Sequence, residues 1–230
     1  MSNGRPISGS RIVLINVIVV LLLLGGGFAV YYYYNQSYYY VSTENARIDG
    51  QLITVSAIAN GKIADWTGPV GSKFSAGQRL GGIQVASAAI PGATTPAVTT
   101  QDIVMPANGT IVQQTVVPDS FTAAGTPLAY AYNMDNLWVS ANVNETAMNN
   151  IASNQVVDVY VDAFPGTTLS GKVTQIGMTT AAQFSLLPQQ NTTANFTKIT
   201  QVVPLVITLD SYKGLNLIPG MSATVRIHIK

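Results

Sequence analysis

The sequence contains an internal repeat, which restricts the possible fold more than any other feature. Residues 59–80 and 107–128 align without a gap. Among the shared residues are Asn60/Asn108, Gly61/Gly109, Ile63/Ile111, Thr67/Thr115, Ser72/Ser120, Gly77/Gly125 and Leu80/Leu128. In each copy an Asn-Gly pair suits a tight turn, because both residues tolerate positive φ, and an Ala-Gly step follows later. The duplication predicts two halves that pack as a small two-sheet β-sandwich about a pseudo-twofold axis.

The paired halves resemble those of a biotinyl/lipoyl-type domain. In carrier domains of that type, the joint between the halves bears the cofactor on a lysine. Here the joint from Ile83 to Asp102 contains no lysine, and Lys62 and Lys73 lie inside the first half. The sequence therefore predicts a lipoyl-like domain without a cofactor.

The joint is also short. Residues 84–101 read QVASAAIPGATTPAVTTQ, without a heptad pattern and with helix-breaking prolines at positions 91 and 96. We expect a loop here, between domain halves at 51–83 and 102–131, rather than a pair of helices.

An apolar run near the N-terminus predicts a membrane anchor. It begins at Ile12 and ends at Val30, and Asn16 is its only strongly polar member. As a helix it would span about 28 Å, close to the thickness of a bilayer's hydrocarbon core. Two arginines precede the run and the first acid is Glu44, so the positive-inside rule places the N-terminus in the cytoplasm and the bulk of the chain outside.

Tyrosines follow the apolar run directly, from Tyr31 to Tyr34 and again at positions 38–40. Tyrosine is enriched at the membrane interface, so we expect a transmembrane helix over residues 12–34, behind a cytoplasmic tail of residues 1–11. A cleaved signal peptide is the alternative, although its apolar region would usually be only about 7–15 residues long. Asn16 either bonds to a partner helix or is a tolerated polar residue.

Composition excludes several classes of function. The net charge of +1 leaves no electrostatic footprint for nucleic acid. The chain has no cysteine and one histidine, His228, so thiol catalysis and multi-histidine metal sites are excluded. None of the acids lies in a recognisable catalytic or metal-binding motif, and we predict no enzymatic activity.

The C-terminal half reads almost entirely as strands. Short β-branched segments lie at 137–142, 156–161, 169–176 and 202–209. At the C-terminus, Val225 and Ile227 alternate with polar residues, which places His228 on a solvated face. Asp158 and Asp162 are also expected to be solvated. Residues 145–152 suit one short helix with Asn144 as its cap.

Several motifs, in order along the chain, resemble the HlyD/EmrA-like membrane fusion proteins, the adaptor subunits of export pumps. They are VSTENA and DG at 41–50, LWVSAN with Glu145-Thr146, FSLLP with the amides that follow, and PGMSAT at 219–224. The resemblance implies a mainly β fold behind a transmembrane helix. Its expected parts are an entry segment at 35–50, a lipoyl-like domain at 51–131, a β-barrel at 132–203 and membrane-proximal strands at 204–230. Many relatives carry a long coiled-coil hairpin where this chain has its short joint.

A long connection within the barrel is the candidate contact for a partner or substrate, because loops of more than about 12–15 residues are usually functional or disordered. It mixes apolar side chains with amides. The candidate residues are Phe184, Leu186, Leu187, Pro188, Gln190, Asn191, Asn195, Phe196 and Lys198. The alternative is that the apolar side chains only cover the end of the barrel.

The resemblance implies a non-catalytic, homo-oligomeric adaptor in the bacterial cytoplasmic membrane. Its expected partners are the lipid bilayer and a major-facilitator transporter that exports drugs or other small molecules. An adaptor for an ABC-type peptide or toxin exporter and a membrane-anchored extracytoplasmic binding module remain alternatives.

Overall fold

A computed structural model describes residues 9–86, 98–180 and 201–229 of the chain. One helix is followed by twelve antiparallel strands, and a six-residue 3-10 helix, Glu145–Asn150, separates β8 from β9. The elements are α1 (Gly9–Tyr39), β1 (Tyr40–Ser56), β2 (Gly61–Trp66), β3 (Lys73–Phe74), β4 (Arg79–Ala86), β5 (Val98–Val104), β6 (Gly109–Gln114), β7 (Phe121–Thr122), β8 (Pro127–Asn144), β9 (Val156–Val161), β10 (Thr168–Ile176), β11 (Val202–Leu209) and β12 (Ser222–His228).

Helix α1 contains 31 residues and passes into β1 without a loop. The large apolar side chains described between Val17 and Val30 are 46–72% exposed. Over the described residues alone, no helix has the length and apolar character needed to cross a membrane.

The C-terminal half forms a closed six-stranded β-barrel. Its strand order is β1-β12-β9-β10-β11-β8, and pairing between β1 and β8 closes the ring. Inward side chains alternate with outward ones, as in β12, where Val225 and Ile227 are fully buried. The alternation predicted for this strand is therefore confirmed.

The barrel corrects one expectation about the C-terminus. Residues 204–230 were expected to form membrane-proximal strands apart from a barrel at 132–203. Instead β11 pairs with β8, β12 pairs with β1 and β9, and their buried side chains share one core. The physical reason is closure, because a barrel of these strands would have two open edges without β12 and the first half of β1.

The two long strands β1 and β8 continue beyond the barrel into a second unit. Their pairing is interrupted after Gly50↔Leu137 and resumes at Leu52↔Tyr132. At this bulge residues 133–136 lie opposite the single residue Gln51. A bulge of this kind bends a strand and changes its twist, which lets the same pair of strands serve two cores.

The second unit is a β-sandwich. The outer parts of β1 and β8 pair with each other, and β6 and β3 extend their sheet from β8. The facing sheet has the order β5-β4-β2-β7. Apolar side chains from both sheets form a core separate from that of the barrel, with Ile63, Leu80, Ile83 and Ile111 completely buried.

The two sequence repeats occupy equivalent positions in this sandwich. Strand β2 pairs with β7 through Lys62↔Phe121, and β6 pairs with β3 through the equivalent Thr110↔Lys73. Backbone bonds repeat as well: the N–H of Gly77 donates to Met105 (2.8 Å), and that of Gly125 donates to Ala57 (2.8 Å). The paired halves therefore exchange strands about a pseudo-twofold axis.

The reason for the Asn-Gly pairs differs from the expectation. Gly61 and Gly109 are absent from the positive-φ residues, whereas Gly77 and Gly125 of the Ala-Gly steps have φ of 78° and 85°. A Cβ on Gly61 would lie 2.1 Å from the backbone oxygen of Gln84. Glycine is needed at this position because another strand approaches closely, rather than because the chain turns.

The joint between the halves is more regular than expected. Strands β4 and β5 form a hairpin whose pairing continues from Arg79↔Val104 to Ala86↔Val98. Residues 84–86 and 98–101, expected as loop, are therefore strand, because each backbone is paired with the other. The rest of the expected loop, residues 87–97, lies outside the described residues.

Candidate functional site

The end of the barrel next to α1 gathers most of the features that could contact a partner. Strand β1 begins here at Tyr40, β12 ends at His228, and β8 ends at Asn144 before the 3-10 helix. Asn144 makes no side-chain capping bond, and the helix stops at Asn150, so the predicted capped helix over 145–152 is wrong in both details. The segment forms a six-residue 3-10 helix instead.

Both flanks of the candidate contact segment lie at this same end. The N–H of Gly177 donates to Pro204 (2.8 Å), and the N–H of Glu145 donates to Gln201 (2.9 Å). Met178 next to the segment is fully exposed. All nine candidate residues between 184 and 198 lie outside the described residues, so their contact role stays a prediction. Of the anchor residues, Ile12, Asn16, Val30, Tyr31 and Tyr34 all fall within α1.

A cation held between two aromatic rings lies on the outside of this barrel end. The guanidinium carbon of Arg226 is 5.4 Å from the ring centre of Tyr40 and 5.9 Å from that of Tyr160. These residues come from β12, β1 and β9, three adjacent strands. The distances are within the range of cation–π attraction. We call this group the tyrosine–arginine face.

His228 and Asp158 form a side-chain hydrogen bond that the sequence did not predict. The Nε2 atom of His228 lies 2.8 Å from Oδ2 of Asp158, and the imidazole meets the Tyr40 ring edge-on at 4.8 Å. Their side chains are 34% and 26% exposed, so neither is freely solvated as expected. They are 70 residues apart in sequence, and only the pairing of β12 with β9 brings them together.

The sandwich carries a cluster of three charged side chains, Asp65, Arg79 and Asp102, on its sheet of order β5-β4-β2-β7. Arg79 donates to both carboxylate oxygens of Asp65 (2.8 and 2.9 Å) and through Nε to Asp102 (2.7 Å). These hydrogen bonds hold the pKa of Asp65 below its ordinary value and raise that of Arg79. Gly82 leaves room for the cluster, because a Cβ there would lie 2.8 Å from Asp65 Oδ1. The guanidinium of Arg79 thus forms ion pairs with both carboxylates.

The junction between barrel and sandwich forms a polar cleft. The hydroxyl oxygen of Tyr212 accepts the N–H of Leu137 at 2.6 Å, and Lys73 of the sandwich pairs with Asp135 in the bulge. A cavity of about 250 Å³ lies here, lined by Asp135, Asn136, Leu137, Thr208, Leu209, Asp210, Ser211 and Tyr212. Within residues 9–86, 98–180 and 201–229 there is no cluster of three or more His, Cys, Asp or Glu side chains that could hold a metal ion.

Comparison with known families and proteins points to one group. Residues 136–183 match the family model of the CusB-like β-barrel domain. Over 94% of its length, the chain is 36% identical to YhbJ of Bacillus subtilis, which carries the name of an efflux system component, and the alignment covers 92% of YhbJ.

More distant relatives share part of the chain. The multidrug export protein EmrA of Escherichia coli is 35% identical over 130 residues, which are 55% of this chain and 33% of EmrA. This chain therefore spans only about a third of that relative. The solved structure of the membrane fusion protein Spr0693 from Streptococcus pneumoniae R6 covers 83% of this chain and 99% of its own, with a TM-score of 0.56 and 15% identity, and shows a shared fold.

Proposed function

This chain belongs to the EmrA-like membrane fusion proteins, and from that membership we propose that it is the adaptor subunit of a pump that exports drugs or other small molecules. The observation that carries the proposal is the similarity to an efflux system component over 94% of the chain. In this role the chain couples a membrane transporter to the exit path of the cargo and has no turnover of its own.

The architecture supports an adaptor role. Strands β1 and β8 run through both the barrel and the sandwich, so the two units share a continuous backbone. A force or displacement applied at the α1 end of the barrel is therefore transmitted along β1 and β8 into the sandwich, and through its packed core to the sheet that holds the β4–β5 hairpin, rather than through a flexible linker. That connection suits a subunit that must hold a path open between two partners.

We place the chain in the bacterial cytoplasmic membrane, with its N-terminus in the cytoplasm and its barrel outside. Support comes from the apolar run between Ile12 and Val30, the arginines before it and the tyrosines after it. The continuous passage from α1 to β1 then holds the barrel next to the membrane. This position is part of the proposal.

The proposed partner is a major-facilitator transporter, and the adaptor assembles with further copies of itself around it. Support for this choice comes from EmrA, whose name is that of a multidrug export protein. The segment from 184 to 198 is the proposed contact, because both of its flanks lie at the barrel end next to α1. A transporter embedded in the same membrane would be adjacent to that end.

Affinity purification of the full-length chain from its native membrane in mild detergent tests the proposal. We expect a transporter of the major-facilitator class to co-purify and drug accumulation to rise when the chain's gene is deleted. An ATP-binding cassette protein in its place would identify the ABC-type alternative. Recovery of neither transporter, with unchanged accumulation, would contradict the adaptor role.

A further inference from the structure

We infer that the tyrosine–arginine face of Tyr40, Arg226 and Tyr160 binds the phosphate group of a membrane phospholipid, with Arg226 as the phosphate ligand. The inference deepens the proposed function and rests on its membrane anchor. It assigns the outer wall of the barrel next to α1 to the lipid surface.

The charge of Arg226 has no anionic partner within the described residues. Asp158 lies directly opposite Arg226 in the pairing of β9 with β12 and would be its natural partner. The carboxylate of Asp158 contacts His228 instead, at 2.8 Å. The guanidinium is left between two neutral rings, which attract its charge without using its hydrogen-bond donors.

Those free donors define the ligand chemistry. A guanidinium presents its N–H groups in a planar fork that matches two oxygens of a phosphate. The attraction of the Tyr40 and Tyr160 rings restrains the position of the group, which lowers the entropy lost when the anion binds. A phosphate diester therefore suits the face.

The position of the face selects a lipid as the source of that phosphate. Tyr40 directly follows the last residue of α1, and it lies six residues, or about 9 Å of helix, beyond Tyr34 at the end of the expected span. Polar headgroups extend several ångströms outside the hydrocarbon core, and tyrosine is enriched at that level. Arg226 can reach the headgroups because arginine extends its charged end away from its strand.

The cysteine-free chain allows a direct test. A fluorophore is placed at Ser42→Cys, which is exposed and directly opposite Arg226, in the full-length protein in phospholipid nanodiscs. A second label at Ser222→Cys reports the opposite end of the same barrel wall, where Ser222 pairs with Arg47. Quenching is measured with a phospholipid that carries a nitroxide on its headgroup.

We expect quenching at position 42 to exceed that at position 222 by at least about twofold, because a contact quencher acts only over short distances. Arg226→Gln should lower the quenching at position 42 towards the value at position 222. Arg226→Lys should give an intermediate value, since lysine keeps the charge but loses the planar pair of N–H donors. The matched control Arg47→Gln removes the same charge at the far end and should change nothing.

Three results would overturn the inference. They are equal quenching at both positions, no effect of Arg226→Gln on quenching, or an effect of Arg47→Gln that is as large as that of Arg226→Gln. A label at position 42 that is shielded from aqueous iodide only when a co-purified transporter is present would assign the face to protein contact instead. A labelled chain that fails to co-elute with the nanodisc would contradict the anchor itself, which separates failure of the proposed function from failure of this face.

Discussion

Asn60 and Asn108 make the same hydrogen bond in the two halves of the sandwich. The Oδ1 atom of Asn60 accepts the backbone N–H of Ala124, and that of Asn108 accepts the N–H of Ala76, both at 2.8 Å. Each asparagine thus joins its own repeat to the other one. The two bonds connect residues 64 and 32 positions apart, so the duplication seen in the sequence is a pair of reciprocal clamps in the fold.

The reciprocal clamps predict equal losses of stability. We expect Asn60→Ala and Asn108→Ala each to lower the free energy of unfolding by about 1 kcal/mol, since each leaves a backbone N–H without its partner. Urea unfolding of the full chain in detergent, followed by tryptophan fluorescence, measures the change. Asn149→Ala is the control, because Asn149 is exposed and makes no side-chain hydrogen bond among the described residues. A loss at only one of the two clamps would contradict their equivalence.

A steric prediction concerns Gly61. We expect Gly61→Ala to destabilise the sandwich by roughly 2 kcal/mol or more, because its Cβ would lie 2.1 Å from the backbone oxygen of Gln84 and the strands would have to separate. Gly166→Ala is the contrast, since Gly166 has a φ of 88° but no atom within 4 Å of a new Cβ. Only backbone strain of about 1 kcal/mol is expected there. The reverse order in denaturant midpoints would show that the close approach of Gln84 is not what requires glycine at position 61.

The Arg79 cluster predicts a small dependence of stability on acid. The pKa of Asp65 is lowered in the folded chain by its hydrogen bonds from Arg79. Its contribution is therefore complete above the unfolded-state pKa of about 3.9 and is lost as the pH falls through the lower folded-state value. Since the side chain is 43% exposed, solvent screening limits the effect to a few tenths of a kcal/mol.

Comparing the free energy of unfolding of Asp65→Asn with that of the parent protein between pH 7 and pH 2 tests this dependence on acid. The parent should be the more stable at pH 7, and the difference should shrink below about pH 4. Asp210→Asn serves as the control, because Asp210 is exposed and forms no ion pair among the described residues. A difference in stability that grows as the pH falls would contradict the predicted direction of the pH dependence.

The shared strands predict that barrel and sandwich unfold together. Trp138 lies in β8 within the barrel and Trp66 lies in β2 of the sandwich, so Trp66→Phe and Trp138→Phe each leave a probe of one unit. Ile48→Ala in the barrel core should lower the free energy of unfolding reported by both probes by the same amount, about 2–5 kcal/mol. The reason is that the lost side chain leaves a cavity beside a sheet that is common to both units. Separate midpoints for the two probes would show that the bulge uncouples the cores.

The proposed partner contact predicts a selective loss of function. Deleting residues 184–198 should abolish drug resistance in an efflux complementation assay while the chain stays folded and in the membrane. The control is deletion of residues 88–96, because the strands before and after them, β4 and β5, belong to the sandwich and not to the barrel. Unchanged resistance after the first deletion would remove the segment from the interface.

Local patterns in the sequence were sufficient for many of the elements. The repeat predicted the sandwich halves, because a duplicated segment carries the same pattern of strand residues twice. Alternation predicted which face of β12 is buried, since successive side chains of a strand point to opposite sides. The class of protein was also readable, because its motifs occur in order along the chain.

Tertiary structure decided everything that depends on pairing between distant strands. Register places Asp158 opposite Arg226, although its carboxylate contacts His228, and the union of β1 with β8 turns two expected domains into one closed barrel. A strand that slips by one residue turns every side chain to the other face, so these contacts follow from the whole sheet and not from any segment of it. The repeated asparagines were visible in the sequence, and their reciprocal bonds appear only when the two halves are folded against each other.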